Sequence, residues 1–382
     1  MIKTADRLSG IEEYYFSKKL AEIAALNAQG RDIINLGIGS PDMAPPPSAI
    51  KQLQQAADQP DAHGYQSYKG IPELREAFSR WYKTIYNVDL DPNKEVLPLI
   101  GSKEGIIHIS MSYLQSGDAA LVPNPGYPAY IAATKLAGAS PLPYVLKEEN
   151  DWLPDLNAIE KMDLSNVKLM WVNYPHMPTG AAGSKELFEE LIEFGQRHNI
   201  LICNDNPYSL VLNDAPNSII PGKPNEHALE LNSLSKSHNM AGWRVGTIVG
   251  HEDHITNILK FKSNVDSGMF RPVQLAAVDA LSQSSKWFNS INEEYRARRA
   301  IVYQILQNIG FLFDKNQAGL FVWAKVSDEV VDVDQWVNET LYEKQVFITP
   351  GKIFGSQGER FVRISLCSSQ ETLNEALNRL NK

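Results

Sequence analysis

Between residues 95 and 250, short apolar runs alternate with longer stretches that have helical periodicity. Strands that alternate with helices in this way form a mostly parallel sheet with helices on both faces. The pattern therefore predicts an α/β fold with one large sheet. The apolar runs that we expect to become its strands include residues 95–100, 119–122, 167–172 and 200–203.

The pattern loosens after about residue 285, where helical and strand-like segments follow one another less regularly. This change predicts a second, smaller α+β domain. We expect an N-terminal arm and part of the small domain at residues 1–45, a large domain at 46–285 and a small C-terminal domain at 286–382.

Composition narrows the kind of protein. Hydrophobic residues make up 43% of the 382 positions and charged residues 21%, as in ordinary globular proteins. A net charge of −9 argues against nucleic acid or an anionic membrane as the main partner. We expect no membrane-spanning segment and no signal peptide. Cys203 and Cys367 have no CxxC partner, so we predict free thiols, no metal site and a cytoplasmic address.

Polar or glycine-rich clusters stand at the carboxyl end of each predicted strand. They cover residues 101–106, 125–127, 173–180 and 204–208. In open α/β sheets, ligands bind at the carboxyl ends of the strands. The shared placement of these clusters therefore predicts a single ligand site.

Lys236 lies in the segment 233–246, just after another short apolar run. A partly buried lysine, or one beside another cation, loses its proton easily and can form a Schiff base. Taken alone, Lys236 is more readily interpreted as a surface lysine. The other strand-end clusters favour a chemical role.

A phosphorylated aromatic aldehyde held as an imine on Lys236 would explain several of these clusters. Its ring nitrogen needs a carboxylate, which Asp205 can supply, and its ring hydroxyl needs a donor, which Tyr208 can supply. Tyr127 can stack on the ring. Each has an alternative interpretation, because Asp205 can cap a helix and Tyr127 can be an ordinary core aromatic.

Phosphate needs a cradle of donors. Gly101, Ser102 and Lys103 open a predicted helix, whose N-terminal N–H groups and dipole attract anions. Ser233 and Arg244 can add a hydroxyl and a guanidinium. The glycine loop alone is weak evidence and is not a Walker P-loop. Arg363 on a late strand is the candidate for a substrate carboxylate, although it can equally belong to a surface ion pair.

In this combination and order, the chain resembles pyridoxal-phosphate-dependent aminotransferases of fold type I, class I/II. The matching segments span nearly the whole chain and lie at residues 37–42, 65–75, 101–106, 125–130, 173–180, 205–208, 233–246 and 350–365. The resemblance implies that pyridoxal 5'-phosphate is the cofactor. It also implies a homodimer with active sites at the subunit interface.

The resemblance assigns roles residue by residue. Lys236 would be the Schiff-base lysine and proton carrier, with Asp205 on the pyridinium nitrogen and Tyr208 on the ring hydroxyl. Arg363, with Gly39 nearby, would hold the substrate carboxylate. The full set of implied cofactor-binding residues is Gly101, Ser102, Lys103, Tyr127, Asn173, Met177, Asp205, Tyr208, Ser233, Lys236 and Arg244, with Tyr65 reaching in from the partner subunit.

Met177 departs from the family pattern. The family usually has an asparagine immediately before Pro-Thr-Gly, and this asparagine donates to the ring hydroxyl. Methionine has no donor, so one hypothesis is that the pKa of the imine rises unless His176, Asn173 or a water substitutes. The other is that Met177 simply packs against the ring.

The reaction is less constrained than the cofactor. The motifs resemble the branch of aspartate, alanine and LL-diaminopimelate aminotransferases. We therefore expect ping-pong transamination between an L-amino acid and a 2-oxo acid, with 2-oxoglutarate as the expected acceptor. Arg271 and Lys103 are the candidates for a side-chain carboxylate. The alternatives are a carbon–sulfur β-lyase and a non-catalytic cofactor-binding regulator, which the acidic composition disfavours.

Overall fold

The computed structural model describes residues 2–8 and 10–381 of the chain. The α-helices of this part are α1 Tyr15–Ala28, α2 Pro47–Ala57, α3 Pro72–Tyr86, α4 Ser102–Tyr113, α5 Pro128–Leu136, α6 Leu156–Ile159, α7 Lys185–His198, α8 Leu234–Ser237, α9 Glu252–Lys262, α10 Arg271–Leu281, α11 Ser285–Asn308, α12 Val333–Glu343 and α13 Gln370–Leu380. Its strands are β1 Ile34–Asn35, β2 Val96–Leu99, β3 Ala119–Asn124, β4 Ser140–Val145, β5 Val167–Val172, β6 Leu201–Asp205, β7 Ala228–Ser233, β8 Gly246–Gly250, β9 Leu312–Phe313, β10 Phe321–Lys325, β11 Val346–Phe347, β12 Thr349–Pro350 and β13 Phe361–Ser365.

The large sheet has seven strands in the order β2-β8-β7-β6-β5-β3-β4. The five strands from β7 to β4 are parallel, whereas β8 runs antiparallel to both β7 and β2. The predicted α/β fold with a large, mostly parallel sheet is confirmed. The sheet is mixed because strand β8 returns directly from the short connection after β7, without a helical crossover.

Helices α3 and α7 show why the connecting segments are helical. Pro72 begins α3, where its missing N–H costs nothing, and Asn87 ends it in the left-handed conformation at φ 55°. Ser184 caps α7 by accepting a hydrogen bond from the Leu187 N–H at 3.1 Å. Each helix buries an apolar stripe that includes Phe78 of α3 or Leu191 of α7.

Alternate residues of the central strands pack on opposite faces of the sheet. On β6, Ile202 packs with the apolar residues of α3, α7 and α10. Its neighbours Leu201 and Cys203 pack with those of α4, α5 and α9. This is the two-residue period of a strand, and it separates the core into two layers. Asp205 therefore lies on the same face as Cys203.

A third apolar cluster surrounds a four-stranded antiparallel sheet of order β12-β13-β10-β9. The N-terminal helix α1 and the small parallel pair β1–β11 contribute to this cluster. Strand β13 lies in the middle, with Arg363 paired in register to Trp323 and Thr349. A separate smaller sheet is thus present as predicted, while the domain boundaries at 45/46 and 285/286 stay a prediction. No helix in the described part of the chain is long and apolar enough to cross a membrane.

Candidate active site

Three neighbouring strands end at the same edge of the large sheet and bring their terminal residues together. Strand β5 is followed by Asn173, β6 ends at Asp205, and β7 ends at Ser233. Directly after β7, the one-turn helix α8 carries Lys236. Parallel strands pointing one way explain why residues far apart in sequence meet here.

These residues surround a cavity of about 570 Å³ between the large sheet and the small one. Its lining includes nearly all of the residues that the sequence assigned to the site. They are Gly39, Ser102, Lys103, Tyr127, Asn173, Met177, Asp205, Tyr208, Ser233, Lys236, Arg244 and Arg363.

Lys236 is half-buried, and its ammonium donates a hydrogen bond to the carbonyl of Gly39. Burial is the main reason why the pKa of Lys236 is lowered, and the nearby charges of Arg363 and Arg244 lower it further. A lysine in this setting releases its proton more easily than one in water. Its amine is therefore suited to act as a nucleophile or base.

Asp205 is buried, and its two carboxylate oxygens differ in their hydrogen bonds. Tyr130 donates to Oδ2 at 3.0 Å, whereas Oδ1 has no partner among the residues that the structure describes. Burial raises the pKa of Asp205 to about 7, with the Tyr130 bond opposing the rise and the charge of Glu230 adding to it. A buried polar atom without a partner is rare, so Oδ1 marks a position where a ligand donor fits.

Gly101 and Arg244 lie together at the start of α4. Gly101 adopts φ +82°, which favours glycine, and its backbone lies close against the Arg244 guanidinium. Ser102 is the first residue of the helix, so its N–H points out of the helix end. Arg244 itself donates to the Ala241 carbonyl at 3.0 Å.

Glu104 holds this loop in place. Its Oε2 accepts a hydrogen bond from the Ile100 N–H at 2.6 Å, just before the helix begins. Potential ligand atoms of Glu104, His108 and Asp266 lie within 4.8 Å of one another, a grouping that the sequence had not suggested. Lys262 is paired with Asp266 at 2.7 Å, so this carboxylate already has a cationic partner.

Lys103 extends over the ring of Tyr14, with its ammonium 4.4 Å from the ring centre. Burial and the charge of Arg244 lower the pKa of Lys103. Burial raises the pKa of Tyr14, and the neighbouring Tyr127 side chain opposes that rise. The lysine thus faces the part of the cavity that the N-terminal segment covers.

Arg363 is buried at 3% exposure and is flanked by aromatic rings. Its guanidinium carbon lies 3.8 Å from the centre of the Phe321 ring. Nη2 donates to the Gly37 carbonyl at 2.6 Å, and Nη1 lies 3.2 Å from Sδ of Met177. Within the described part of the chain, Nε has no partner. Burial lowers the pKa of Arg363 to about 10, so it stays cationic near neutral pH.

Met177 lines the cavity with a thioether where the family pattern has an amide. Its backbone N–H donates to Oδ1 of Asn173 at 2.8 Å, and the Asn173 amide donates to the Asp205 carbonyl. His176 does not line the cavity; its Nδ1 is 2.8 Å from the Thr179 hydroxyl. Burial lowers the pKa of His176 to about 3, so it is neutral. Of the two side chains considered as substitutes, only Asn173 reaches the cavity.

Two predicted residues lie outside the cavity lining. Gly101 contributes backbone behind Arg244, and Tyr65 is 94% exposed in the single chain. Tyr65's proposed reach into a partner subunit stays a prediction. Arg271, considered for a side-chain carboxylate, also lies outside the lining and pairs with Asp61 at 2.5 Å. The suggestion that Arg271 binds a side-chain carboxylate stays a prediction.

The structure adds residues that the sequence interpretation missed. Several come from the N-terminal segment, which approaches the cavity only because β1 pairs with β11 and carries α1 beside the small sheet. The aromatic run at residues 14–16 was the one available signal. The additional lining residues are Tyr14, Phe16, Ser17, Leu20, Ile38, Pro207, Ser235, Ala241, Phe321 and Phe354.

Comparison with known proteins agrees with this geometry. The family model of aminotransferase class I and II matches residues 31–380. The LL-diaminopimelate aminotransferase of Halothermothrix orenii is 40% identical over 382 residues, covering 99% of this chain and 98% of that protein. The LL-diaminopimelate aminotransferase of Oleidesulfovibrio alaskensis is 41% identical, with 98% of each chain covered.

Solved structures show the same architecture. Substrate-bound BacF from Bacillus subtilis matches with a TM-score of 0.94 at 34% identity, covering 100% of this chain and 98% of that one. An aspartate aminotransferase from Thermus thermophilus with maleate matches with a TM-score of 0.93 at 26% identity, covering 100% and 99%.

Proposed function

The chain belongs to the class I and II aminotransferases, a family of pyridoxal-phosphate-dependent enzymes, and it is an aminotransferase. On this premise we propose that it moves an amino group from an L-amino acid to a 2-oxo acid, with 2-oxoglutarate as the acceptor. The reaction takes place in the cavity around Lys236. The observation that carries the proposal is a buried carboxylate oxygen without a partner, Oδ1 of Asp205, in the same cavity as a lysine amine of lowered pKa.

The cavity residues fit pyridoxal phosphate. Asp205 Oδ1 lacks the donor that a protonated ring nitrogen supplies. The Gly101 backbone, the N-terminus of α4 and Arg244 form a cradle suited to a phosphate dianion. Tyr127 and Tyr208 both line the same space, and burial raises the pKa of each phenol, so both stay neutral donors.

When bound, the cofactor withdraws electrons from the substrate's Cα and so makes its proton acidic. Lys236 is the group that we propose carries this proton, since its Nζ lies in the cavity and its pKa is lowered. Arg363 holds the α-carboxylate. Its Nε is available as a donor, and its Nη1 contacts only the weak acceptor Sδ of Met177, which a carboxylate oxygen can replace. Asp205 keeps the ring nitrogen protonated through Oδ1.

We propose LL-diaminopimelate as the first donor to test, because two relatives at 40% and 41% identity are named for it. The cavity has features that suit a long, polar amino acid. Leu20 and Ile38 provide apolar walls, while Lys103 and Ser17 provide a cation and a hydroxyl. Other amino-acid donors should be tested as well, because Met177 departs from the family pattern and one of the similar structures is an aspartate aminotransferase.

We also propose that the enzyme is a homodimer. Apolar side chains lie exposed near the loop that carries Tyr65, which is 94% exposed. Val265 is 60% exposed, Phe270 is 45% exposed, and His63 stacks on Phe270 at 5.9 Å. Exposed apolar side chains grouped on one surface favour an interface. A cytoplasmic address is proposed as well, on the two buried free thiols.

The proposal is tested by adding single amino acids to the purified, cofactor-loaded protein and recording its visible absorption. Loss of the band with LL-diaminopimelate or another L-amino acid, followed by recovery with 2-oxoglutarate, is the expected result. Pyruvate and ammonia from cystathionine would instead indicate a carbon–sulfur β-lyase. A spectrum that no amino acid changes would indicate a cofactor-binding regulator.

A further inference from the structure

Glu230 is a carboxylate at the centre of the large sheet, with no exposed surface. It lies in the middle of β7, and four donors surround it. The Tyr82 and Ser218 hydroxyls each donate to Oε1 at 2.9 Å. The Asn204 amide and the Ile219 N–H each donate to Oε2 at 3.0 Å.

The four donors favour the anionic form of Glu230 over the neutral form. Burial raises the pKa of Glu230, and the hydrogen bonds from all four partners oppose that rise. A carboxylate has about four lone-pair positions for hydrogen bonds, and four donors fill them here. The Ile219 N–H cannot accept a hydrogen bond, and the Tyr174 N–H donates to Oδ1 of Asn204, which keeps the Asn204 NH2 turned toward Glu230. A proton on Oε2 would therefore have no acceptor. The hydrogen bonds offset the free-energy cost of burying a negative charge. Because all four partners are neutral, they do not cancel that charge.

The position of Glu230 relates it to Asp205. In the parallel pair β6–β7, Glu230 lies in register with Asn204, which immediately precedes Asp205. Asn204 shares a face with Ile202, whereas Asp205 points to the opposite face with Cys203. Glu230 and Asp205 thus lie back to back across one sheet, on the order of 8 Å apart given the spacing of adjacent strands.

We propose that Glu230 is a positioning anion whose field makes Asp205 a stronger base toward the cofactor's ring nitrogen. The inference rests on the proposed role of Asp205 in binding this cofactor. A second negative charge close to Asp205 disfavours loss of a proton from the pair that Asp205 forms with the ring. The four-donor cage fixes that charge in place without neutralising it.

The other titratable groups around the two carboxylates do not compete with this effect. Tyr130, Tyr127 and Tyr208 face Asp205, and the pKa of each is raised. Tyr82 and Tyr86 face Glu230, and the pKa of each is raised as well. These phenols stay neutral over the pH range in which Asp205 titrates. The cations Lys236 and Arg363 lie on the cavity side of the sheet. Their electrostatic effect on Asp205 should therefore be the same in wild type and in Glu230 variants.

The test is a titration of Asp205 in the full-length, cofactor-free protein by infrared spectroscopy of carboxyl groups, with Asp205→Asn used to assign the band. Glu230→Gln removes the charge and nearly preserves the shape. Tyr82→Phe is the matched control, since it removes one donor from the same cage and leaves the charge. Neither substitution touches the cavity, and the titration needs no substrate.

Glu230→Gln is expected to lower the pH at which Asp205 ionises by roughly one unit, the size of a Coulomb interaction over this separation at protein dielectric values. Tyr82→Phe is expected to leave that pH nearly unchanged. An unchanged Asp205 midpoint in Glu230→Gln would overturn the inference. If the protein does not bind pyridoxal phosphate at all, the proposed function fails, whereas an unchanged midpoint refutes the role of Glu230 alone.

A measurement on the unaltered protein covers the case in which Glu230→Gln does not fold. In protein labelled with ¹³C-glutamate, exposed glutamates are ionised above about pH 6. Above this pH, we expect no infrared band from a protonated glutamate. A band that persists above that pH would show that Glu230 is neutral and would overturn the inference.

Discussion

A Cβ atom on Gly101 would overlap Nη2 of Arg244, so a side chain at residue 101 would displace the guanidinium from its position. The same residue adopts φ +82°, which an L-residue adopts only with strain. Gly101 therefore meets two separate requirements, one of backbone conformation and one of space beside the guanidinium. The two requirements can be separated by experiment.

Gly101→Ala is expected to weaken pyridoxal phosphate binding about ten- to a hundredfold, because displacing Arg244 loses a charge-assisted bond of about 1.5–3 kcal/mol. Gly117→Ala is the matched control. Gly117 has φ +95° with no atom within 4 Å of the added Cβ, so it carries the strain without the crowding. Equilibrium dialysis of both variants measures the difference, and equal losses would contradict the proposed cradle.

Lys236→Ala is expected to abolish the visible absorption of the bound cofactor and all transamination, since no other amine takes the place of its Nζ. The cofactor should then be removed by dialysis. Lys260→Ala, at an exposed position on α9, should behave as wild type. Retention of the visible band by the Lys236→Ala protein would refute the proposed role.

Met177→Asn restores a donor at the position where the family has one. We expect the pH midpoint of the cofactor's visible absorption change to fall by about one to two units, because a hydrogen bond to a charged oxygen contributes about 1.5–3 kcal/mol. Met177→Leu, which adds no donor, should keep the wild-type midpoint. If Met177→Asn also keeps that midpoint, Met177 only packs against the ring.

Asp205→Asn should change how the stability of the cofactor-free protein depends on pH. Burial raises the pKa of Asp205 from 3.8 to about 7, so the stability contributed by its neutral form is complete below about pH 4 and is lost as pH rises through about 7. The loss is on the order of 1.4 kcal/mol for every pH unit that separates the pKa of the folded protein from that of the unfolded chain. Thermal unfolding should show the variant as stable as wild type at pH 4 and more stable at pH 8. Equal differences at both pH values would mean that folding does not shift the pKa of Asp205.

Tyr65 allows a test of the proposed dimer by complementation. Tyr65→Ala and Lys236→Ala homodimers should each be impaired, the first strongly and the second completely. A mixed dimer contains one site with Lys236 from one chain and Tyr65 from the other, so mixing the two proteins should restore part of the activity. Mixtures no more active than the sum of the separate variants would place Tyr65 outside the partner's site.

Much of the site followed from local patterns. Asp205, Ser233 and Lys236 could be assigned together because each follows an apolar run, and the carboxyl ends of parallel strands meet at one edge. These are short-range properties, which residue types and spacing express directly.

Other features depended on contacts between distant segments. Tyr14 and Phe16 line the cavity because a strand near residue 34 pairs with one near residue 346, and no local pattern specifies that pairing. The contact of Met177 with Arg363 joins residues 186 positions apart.

The amino-acid order alone therefore determined the fold class and the identity of most cavity residues. Only the tertiary structure decided which neutral donors surround Glu230 and which oxygen of Asp205 is left free. The physical reason is that strand and helix periodicity arise from neighbouring residues, whereas burial and hydrogen-bond partners arise from how whole elements pack.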